Sequence, residues 1–440
     1  MAVKSSAVPA MSRPVRVRLR AVAVKSPRLN GRVARCGREV ERRGRQVERC
    51  GREVAGGGRK AARCGRCENA DDGSYNGSVP ASLRREIGQL LIGSLPGMTV
   101  TEEMRSLARE FQLGGVTLFK RNIEAPEQVA ELDHDLQALS TGLPLWVAVD
   151  QEGGRVARLQ SPFTEWPPMA TLGRSGDDSL AYRFAAALAA ELRAVGITLD
   201  YAPVLDINTN PRNPIIGDRA LGEEAATVAR LGAAIVRGLQ ENGVAACGKH
   251  FPGHGDTSVD SHLALPVIEH PPDRIRRVEC VPFREAIRND VAFIMTAHIL
   301  VPSLDEEKPA TLSPVIVRGL LREELDFNGV ILSDDLEMKA IADTYTVPDA
   351  AVQTIAAGCD GVLICHADIG LQMETLEAMI HAVEDGRIPY KRAEDALARN
   401  RRAKERFLAA PVAHGRARPL RHVLGCDQHR QIADEMARYL

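Results

Sequence analysis

The sequence predicts an α/β fold, a single (β/α)₈ barrel of the TIM type preceded by a disordered basic N-terminal extension. Two observations predict the barrel. Short apolar runs alternate with helical patterns along about 300 residues, and polar side chains follow the carboxyl ends of several of these runs. Near-continuous apolar strands separated by helices indicate a parallel sheet that is covered on both faces. A third observation, an uneven division of charge, predicts the extension.

The extension is defined by its charge. The chain has 440 residues with 57 Lys and Arg against 58 Asp and Glu, yet residues 1–67 hold 19 basic and only four acidic residues. This segment therefore carries about +15 and leaves about −16 for the rest of the chain. Its apolar residues are too few for their burial to offset the conformational entropy that the chain would lose on folding. We expect disorder over residues 1–78 and a folded domain over residues 79–440.

The repeats in this extension leave several functions open. Cys36-Gly-Arg-Glu-Val recurs at Cys50, and Cys64-Gly-Arg-Cys67 is a degraded third copy. A Cys-x-x-Cys pair is typical of half a zinc site, but no second Cys/His pair follows at suitable spacing. Arginine-rich, acid-poor segments also occur in transit peptides and in proteins that bind nucleic acid or other anionic surfaces. A solvated extension that catalysis does not require is the favoured interpretation.

Bulk composition excludes other classes. No apolar run approaches the roughly 18–20 residues of a membrane span, and Ala21–Val24 is too short for the apolar core of a signal peptide. The nine cysteines are an odd number, scattered through a large chain. We therefore expect reduced thiols, a cytoplasmic location and no membrane span.

Seven segments have the apolar pattern of buried strands: Gly115–Phe119, Leu145–Val149, Thr198–Leu205, Val244–Gly248, Phe293–Ala297, Val330–Ser333 and Val362–Cys365. Helical patterns are Ser82–Leu95, Thr101–Gln112, Glu127–Leu139, Leu180–Ala194, Ala225–Glu241, Pro314–Glu324 and Ala350–Ala357. Seven strands fit an eight-stranded barrel with one strand weakly marked. The competing open, doubly wound sheet normally carries a glycine-rich phosphate loop after its first strand, and this sequence has none.

Polar residues collect where these strands end. They are Asp150, Asp206, Lys249-His250, His298, Asp334-Asp335 and His366. In a barrel the carboxyl ends of the strands converge on one face, where the active site lies. The sequence therefore predicts a single polar site built from several strands.

The densest polar segment runs from Lys249 to Asp256 and continues to Asp260-Ser-His262. Its histidines could suggest a metal site, but Pro252 and Gly253 forbid the helix that His-x-x-x-His spacing needs. The alternative is a glycine-rich loop that presents polar side chains to a polyhydroxylated ligand, with Gly253 and Gly255 adopting conformations that other residues resist. Asp260 could orient His262 as a general acid/base, or it could simply cap the loop.

Three further positions carry paired interpretations. Asp334 stands where a carboxylate could attack a ligand above the barrel, while Asp335 or Ser333 could cap the following helix. Asp150 with Arg155 and Arg158 could bind ligand or form a structural ion pair. Arg219 is a surface arginine by default, and His298 and His366 could equally be packed at the barrel rim.

Together these motifs resemble glycoside hydrolase family 3, and in particular its single-domain bacterial β-N-acetylhexosaminidases. The similar segments are Val149-Asp-Gln-Glu-Gly-Gly-Arg-Val156, Tyr201-Ala-Pro-Val-Leu-Asp206, Gly217-Asp-Arg219, Gly248-Lys-His-Phe-Pro-Gly-His-Gly255, Asp260-Ser-His262 and Leu332-Ser-Asp-Asp335, in family order over residues 83–410. The chain beyond residue 410 is too short for the second domain of family 3 β-glucosidases, which favours the hexosaminidase branch.

The resemblance implies retaining hydrolysis through a covalent glycosyl-enzyme. Asp334 matches the nucleophile and His262, assisted by Asp260, the acid/base. The positions that hold the terminal sugar are Asp150, Arg158, Arg219, Lys249 and His250. A histidine would then replace one of the two carboxylates that glycosidases usually use.

The resemblance also implies partners and location. The expected substrate is a GlcNAc-anhydroMurNAc-peptide in cytoplasmic cell-wall recycling, handled by a monomer without metal, cofactor or nucleic acid. A broader β-glycosidase is the alternative. Ala220-Leu221 departs from the Ser and aromatic residue common in relatives, which leaves the contacts of that loop open.

Overall fold

The computed structural model describes residues 80–409 and 419–440. The predicted disorder of residues 1–78 and the zinc alternative at Cys64 and Cys67 fall outside these residues. No helix of the described chain combines the length and apolar content that crossing a membrane requires.

Eight parallel strands close into a barrel, and a small antiparallel hairpin follows the third strand. The strands are β1 (Leu91–Ser94), β2 (Gly115–Leu118), β3 (Trp146–Val149), β4 (Gln151–Gly153), β5 (Val156–Ala157), β6 (Leu199–Asp200), β7 (Ala245–Phe251), β8 (Phe293–Thr296), β9 (Val330–Asp335) and β10 (Gly361–Leu363). The order around the barrel is β1-β10-β9-β8-β7-β6-β3-β2, and β4 pairs with β5. The predicted fold class is confirmed.

The eighth strand lies inside a segment predicted as helix. Over Ser82–Leu95 the structure has a helix at Ala81–Glu86, a 3₁₀ turn at Ile87–Leu90 and then β1. Every residue of β1 is buried, and the strand pairs with β2 on one side and β10 on the other. A short apolar run is compatible with either a helix or a buried strand. Here the hydrogen-bonded pairing of β1 with β2 and β10 makes it a strand.

Helices cover the outside of the barrel. The α-helices are Ala81–Glu86, Glu102–Glu110, Pro126–Gln137, Ala170–Ser175, Asp178–Ala194, Ala225–Glu241, Pro272–Arg277, Cys280–Arg288, Lys339–Ala342, Val347–Ala357, Ile369–Glu384, Tyr390–Leu408 and Asp427–Ala437, with a π-helix at Val315–Glu324. Side-chain caps fix several starts, as where Thr101 accepts from the Met104 N–H and Asp177 from the Leu180 N–H. The helices after β10 were not predicted.

The barrel interior is packed at its amino end. Trp146 of β3 meets Phe293 of β8 edge-to-face at 5.2 Å between ring centroids, and Phe407 of helix Tyr390–Leu408 packs on the same Trp146. Nearby, the buried Lys404 ammonium donates to Gln89 Oε1 (2.6 Å) and the Gly114 carbonyl (2.8 Å), and burial lowers the pKa of Lys404 to about 7. Side chains therefore fill the barrel interior at this end, and the carboxyl ends of the strands remain as the expected place for a site.

Candidate active site

The carboxyl ends of the strands surround a cleft with a volume of about 310 Å³. All eight residues predicted to form the site line it. They are Asp150, Arg158, Arg219, Lys249, His250, Asp260, His262 and Asp334. Residues up to 184 positions apart in sequence therefore meet in one place, as the barrel topology requires.

One side of the cleft is a network of buried charges, hereafter the floor, formed by Asp150, Glu152, Arg158, Arg219 and Lys249. The Lys249 ammonium lies 2.7 Å from Asp150 Oδ1 and 2.7 Å from Glu152 Oε1. Arg158 donates to Asp150 Oδ2 at 3.0 Å. Arg219 donates to both carboxylate oxygens of Glu152, at 2.8 and 2.7 Å. Two carboxylates and three cations thus hold one another in fixed positions.

The charges of the floor are stable to pH. Burial alone would raise the pKa of Asp150, but the neighbouring Lys249 and Arg158 outweigh it and bring that pKa well below the usual range. Burial alone would also raise the pKa of Glu152, but Lys249 and Arg219 outweigh it, and the pKa of Glu152 falls to about 2. The two carboxylates raise the pKa of Lys249 in return, against the opposing effect of its burial. The floor is therefore ionised throughout the neutral range.

Two features of the floor were missed or misjudged from sequence. Glu152 received no role, although it stands two residues after Asp150 and so points to a similar side of an extended segment. The default interpretation of Arg219 as a surface residue is wrong, because its side chain is only 10% exposed and paired with Glu152. Arg155 does form a half-exposed ion pair, at 3.2 Å from Asp218.

A second network supports His250. Asp206 Oδ2 lies 2.7 Å from His250 Nδ1, and Asp206 Oδ1 accepts from the backbone N–H of His250 and of His254. Burial would raise the pKa of Asp206, but the two histidines lower it. Sequence reasoning placed Asp206 at a strand end without a role. The structure shows it as the group that fixes the orientation of the His250 ring.

The two glycines of the loop after β7 are required for different reasons. Gly253 has φ 129°, in the region that only glycine adopts freely, as predicted. Gly255 does not have a positive φ, and the predicted reason is wrong for it. A Cβ at Gly255 would instead collide with the Ile207 carbonyl oxygen, so this glycine permits a close approach of two chain segments.

The loop then brings the predicted carboxylate–imidazole pair to the cleft. Asp260 Oδ1 lies 2.9 Å from His262 Nδ1 and also accepts from the His262 backbone N–H at 2.8 Å. The His262 side chain is 65% exposed and that of Asp260 is 26% exposed. A carboxylate on Nδ1 leaves Nε2 free to exchange a proton with a ligand or with water.

Asp334 stands at the end of β9, half-buried, and its Oδ1 accepts from the Asp335 N–H at 2.8 Å. Burial, then the charges of Glu337 and Asp334, raise the pKa of Asp335 to about 6. The proposed capping role of Asp335 or Ser333 is wrong. The next helix begins after Met338 with no side-chain cap, while Asp335 accepts from the Glu337 N–H and Ser333 from the Leu363 N–H.

Packing accounts for His298 and for Ala220-Leu221, but it does not account for His366. His298 is fully buried, with Nδ1 2.8 Å from Thr311 Oγ1 and Nε2 2.9 Å from the Asp335 carbonyl. His366 is exposed and pairs with Glu337 at 3.1 Å. Ala220-Leu221 is buried below the Arg219 loop.

Metal-ligating side chains come close together at one place in residues 80–409 and 419–440. Asp335, Glu337 and His366 have donor atoms within 4.8 Å of one another. The histidines of the loop after β7 are not part of this group. Their spacing alone had left a metal site open, and the described structure does not gather them around one.

A parallel barrel whose carboxyl ends combine a carboxylate, a carboxylate–imidazole pair and a charged floor has the architecture of a barrel hydrolase. Comparison with known proteins narrows this class. The sequence profile of the glycosyl hydrolase family 3 N-terminal domain matches residues 82–403. The chain belongs to glycosyl hydrolase family 3.

Several relatives are similar over most of the chain. A β-hexosaminidase from Nitrosomonas eutropha is 38% identical over 71% of this chain and 90% of its own length. β-Hexosaminidase A from Pseudoalteromonas piscicida is 34% identical over 77% of this chain, which spans 60% of that protein.

Solved structures agree with the sequence relatives. A family 3 β-N-acetylglucosaminidase from Paenibacillus sp. FPU-7 superposes with a TM-score of 0.77 at 42% identity, over 81% of this chain and 68% of that one. NagZ from Neisseria gonorrhoeae, solved with N-trifluoroacetyl-D-glucosamine, superposes with a TM-score of 0.66 at 32% identity, over 80% of this chain and 97% of that one.

Proposed function

We propose that this protein is an exo-acting, retaining β-N-acetylhexosaminidase that releases terminal β-linked GlcNAc. One observation carries the proposal. Asp334 and the Asp260–His262 pair border the same cleft, beside a floor of fixed charges. The names of the relatives, β-hexosaminidase and β-N-acetylglucosaminidase, support the choice of sugar.

The first chemical step forms a glycosyl-enzyme. The Asp334 carboxylate attacks the anomeric carbon while protonated His262 donates its proton to the departing oxygen, so the glycosidic bond breaks as the ester forms. Asp260, whose Oδ1 lies 2.9 Å from His262 Nδ1, orients the ring for this transfer. The first product leaves with its hydroxyl restored.

The second step returns the enzyme to its starting state. Neutral His262 takes a proton from water, the hydroxide attacks the same anomeric carbon, and Asp334 departs as a carboxylate. Two inversions give net retention. Throughout, Lys249 and Arg158 can donate to sugar hydroxyls and Asp150 can accept from them, so orientation comes from groups that do not change charge.

The role of Asp334 is tested by Asp334→Asn, which keeps the shape of the side chain and removes the nucleophile. We expect kcat/KM on an aryl β-GlcNAc substrate to fall by about 10⁴-fold or more. Asp326→Asn is the matched control, since Asp326 is exposed at the opposite end of β9 and its φ of 54° suits asparagine. Turnover by Asp334→Asn within tenfold of wild type would refute the assignment.

The sugar is tested by comparing the kcat/KM of aryl β-GlcNAc with that of the matching aryl β-glucoside. We expect the GlcNAc substrate to be preferred. Faster hydrolysis of the glucoside would favour the broader β-glycosidase instead. Proton NMR during turnover should show that the released GlcNAc is first formed as the β-anomer, as retention requires.

We further propose that the natural substrates are GlcNAc-anhydroMurNAc-peptides in cytoplasmic cell-wall recycling, and that the monomer is the active form. Incubation with purified muropeptides should release free GlcNAc and leave the anhydroMurNAc-peptide intact. An enzyme that hydrolyses chitobiose but not these fragments would contradict this substrate. Gel filtration at assay concentrations tests the monomer.

A separable proposal concerns the basic extension: catalysis does not require residues 1–67, and binding to anionic surfaces is the alternative role of this segment. Deletion of residues 1–67 should leave kcat/KM unchanged, and it should abolish low-salt binding to DNA if this segment binds anionic surfaces. Equal DNA binding by both proteins would end the binding proposal. A loss of kcat/KM on deletion would show that the extension contributes to the enzyme.

A further inference from the structure

The acid/base pair lies on a long irregular segment. Residues 252–271 join β7 to helix Pro272–Arg277 without a helix or strand. Within residues 258–265, the side chains around His262 are mostly exposed, including Val259 at 41% and Leu263 at 66%. Ser261 is the exception, because it is only 3% exposed. A buried serine between two site residues on an exposed stretch calls for an explanation.

Ser261 makes the hydrogen bonds that attach this stretch to the rest of the fold. Its Oγ lies 3.2 Å from His254 Nε2, and its carbonyl accepts from the Ala340 N–H at 3.2 Å. In the described part of the chain, these two bonds are the ones that join residues 258–265 to residues outside the stretch. The remaining bonds of the stretch link Asp260 to His262, Leu263 and Ala264.

The partners of Ser261 belong to the two sides of the cleft. His254 is held by Asp206, which accepts from its backbone N–H at 2.6 Å and also orients His250. The other ring nitrogen of His254 lies 2.8 Å from Thr257 Oγ1, so the ring is fixed on both edges. Ala340 belongs to the short helix that follows Asp334. Ser261 therefore joins the His250 side of the cleft to the Asp334 side.

We propose that Ser261, through His254 and Ala340, is the positioning residue that sets the Asp260–His262 pair at its working distance from Asp334. This inference rests on the proposed function. General acid catalysis depends on a hydrogen bond of about 2.6–3.2 Å to the departing oxygen, so a stretch that drifts by an ångström loses proton transfer first. Attack by Asp334 does not involve Ser261 directly.

The test compares Ser261→Ala with Ser258→Ala, a matched exposed serine on the same stretch. The kcat/KM of each variant is measured on two aryl β-GlcNAc substrates. The 2,4-dinitrophenyl glycoside departs without a proton, whereas the 4-methoxyphenyl glycoside needs one. We expect Ser261→Ala to lose about 10–100-fold on the second substrate and less than about threefold on the first. Ser258→Ala should match wild type on both.

The outcomes separate this proposal from the proposed function. Wild type that hydrolyses neither glycoside would refute the function itself. Wild type that is active, with a Ser261→Ala variant equally impaired on both substrates, would show a general structural role and overturn the positioning proposal. An unaffected Ser261→Ala would overturn it as well. Ser261→Thr keeps the hydroxyl, so in a folded variant it should recover activity on the 4-methoxyphenyl substrate relative to Ser261→Ala, and no recovery would count against the hydrogen bond.

Discussion

The two sides of the cleft use the same residue types in opposite electrostatic surroundings. In the floor, Asp150 and Glu152 are neutralised by Lys249, Arg219 and the half-buried Arg158, and their pKa values lie below the usual range. On the β9 side, Asp334, Asp335 and Glu337 lie close together, and burial, followed by the charges of Glu337 and Asp334, raises the pKa of Asp335 to about 6. Within the described residues, Asp334 has no ion-pair partner within 4 Å.

The difference matches the work that each side would do. A binding surface benefits from charges that never change and from donors whose positions are fixed. A nucleophile that forms a bond to a carbon with growing positive charge benefits from negative surroundings and from the absence of a neutralising cation. Paired charges on one side and a buried carboxyl with a raised pKa on the other should therefore have separate, measurable consequences for stability and for pH dependence.

The largest effect is expected from Glu152→Gln, which removes the carboxylate shared by Arg219 and Lys249. Because both cations would remain buried, we expect the free energy of unfolding to fall by about 3–5 kcal/mol, measured by urea denaturation. Asp218→Asn is the matched control. Its ion pair with Arg155 is about half exposed on both sides, so its loss should cost less than about 1 kcal/mol.

Similar losses for Glu152→Gln and Asp218→Asn would contradict the comparison, because they would mean that burial of the floor adds nothing to its ion pairs. A fall in sugar affinity should accompany the loss of stability in Glu152→Gln. Asp218 lies outside the lining of the cleft, so Asp218→Asn should leave KM unchanged.

A smaller effect of opposite sign is expected from Asp335→Asn. The pKa of Asp335 is about 6 in the folded protein against an ordinary 3.8, so the folded state holds this proton more tightly than the unfolded state does. Its contribution to stability is complete below pH 3.8 and is lost as the pH rises through 6. Asparagine carries no such dependence. The free energy of unfolding of the variant, minus that of wild type, should therefore be about 1–3 kcal/mol higher at pH 7.5 than at pH 4.

Urea denaturation at pH 4 and pH 7.5 measures this change. Asp150→Asn supplies the contrast, because the pKa of Asp150 is lower in the folded state than in the unfolded state. The ionised carboxylate therefore stabilises the fold at any pH above its unfolded-state pKa, and this stability is lost only as the pH falls through its folded-state pKa. Asp150→Asn should therefore be destabilising at pH 7.5. If the gap between Asp335→Asn and wild type is the same at both pH values, the pKa of Asp335 is not raised in the folded protein, and the contrast with Asp150 fails.

Sequence reasoning recovered the barrel because its strands are short apolar runs whose polar residues all follow the same end. It missed β1, since Leu91–Ser94 continues a helical pattern and only the ladders to β2 and β10 reveal a strand. The residues of the cleft were found from motif spacing and resemblance. What spacing does not reveal is which charges pair, because Lys249 and Asp150 are 99 residues apart.

The same limit explains Arg219 and Ser261. Arg219 follows Gly217-Asp218 and has apolar residues on both sides, but its partner Glu152 is 67 residues away, so the sequence does not show the ion pair that accompanies its burial. Ser261 sits in the Asp-Ser-His motif, where the two flanking residues attract attention. Its importance follows from contacts with His254 and Ala340, which depend on how the segment after β7 folds back over β9. Family membership and the barrel are confirmed, whereas the catalytic roles remain predictions.

The smallest expected effect is the absence of a pH dependence. The pKa values of Asp150 and Glu152 lie below their usual range and that of Lys249 lies above it, so these groups keep their charges between pH 5 and 8. In a variant that combines His262→Ala with Asp335→Asn, which removes the exposed imidazole and the cleft carboxyl whose pKa is about 6, the Kd for free GlcNAc measured by calorimetry should therefore change by less than about twofold across this range. A tenfold weakening of GlcNAc binding at pH 5 in the variant would mean that the floor itself titrates, and the division between fixed and changing charge would fail.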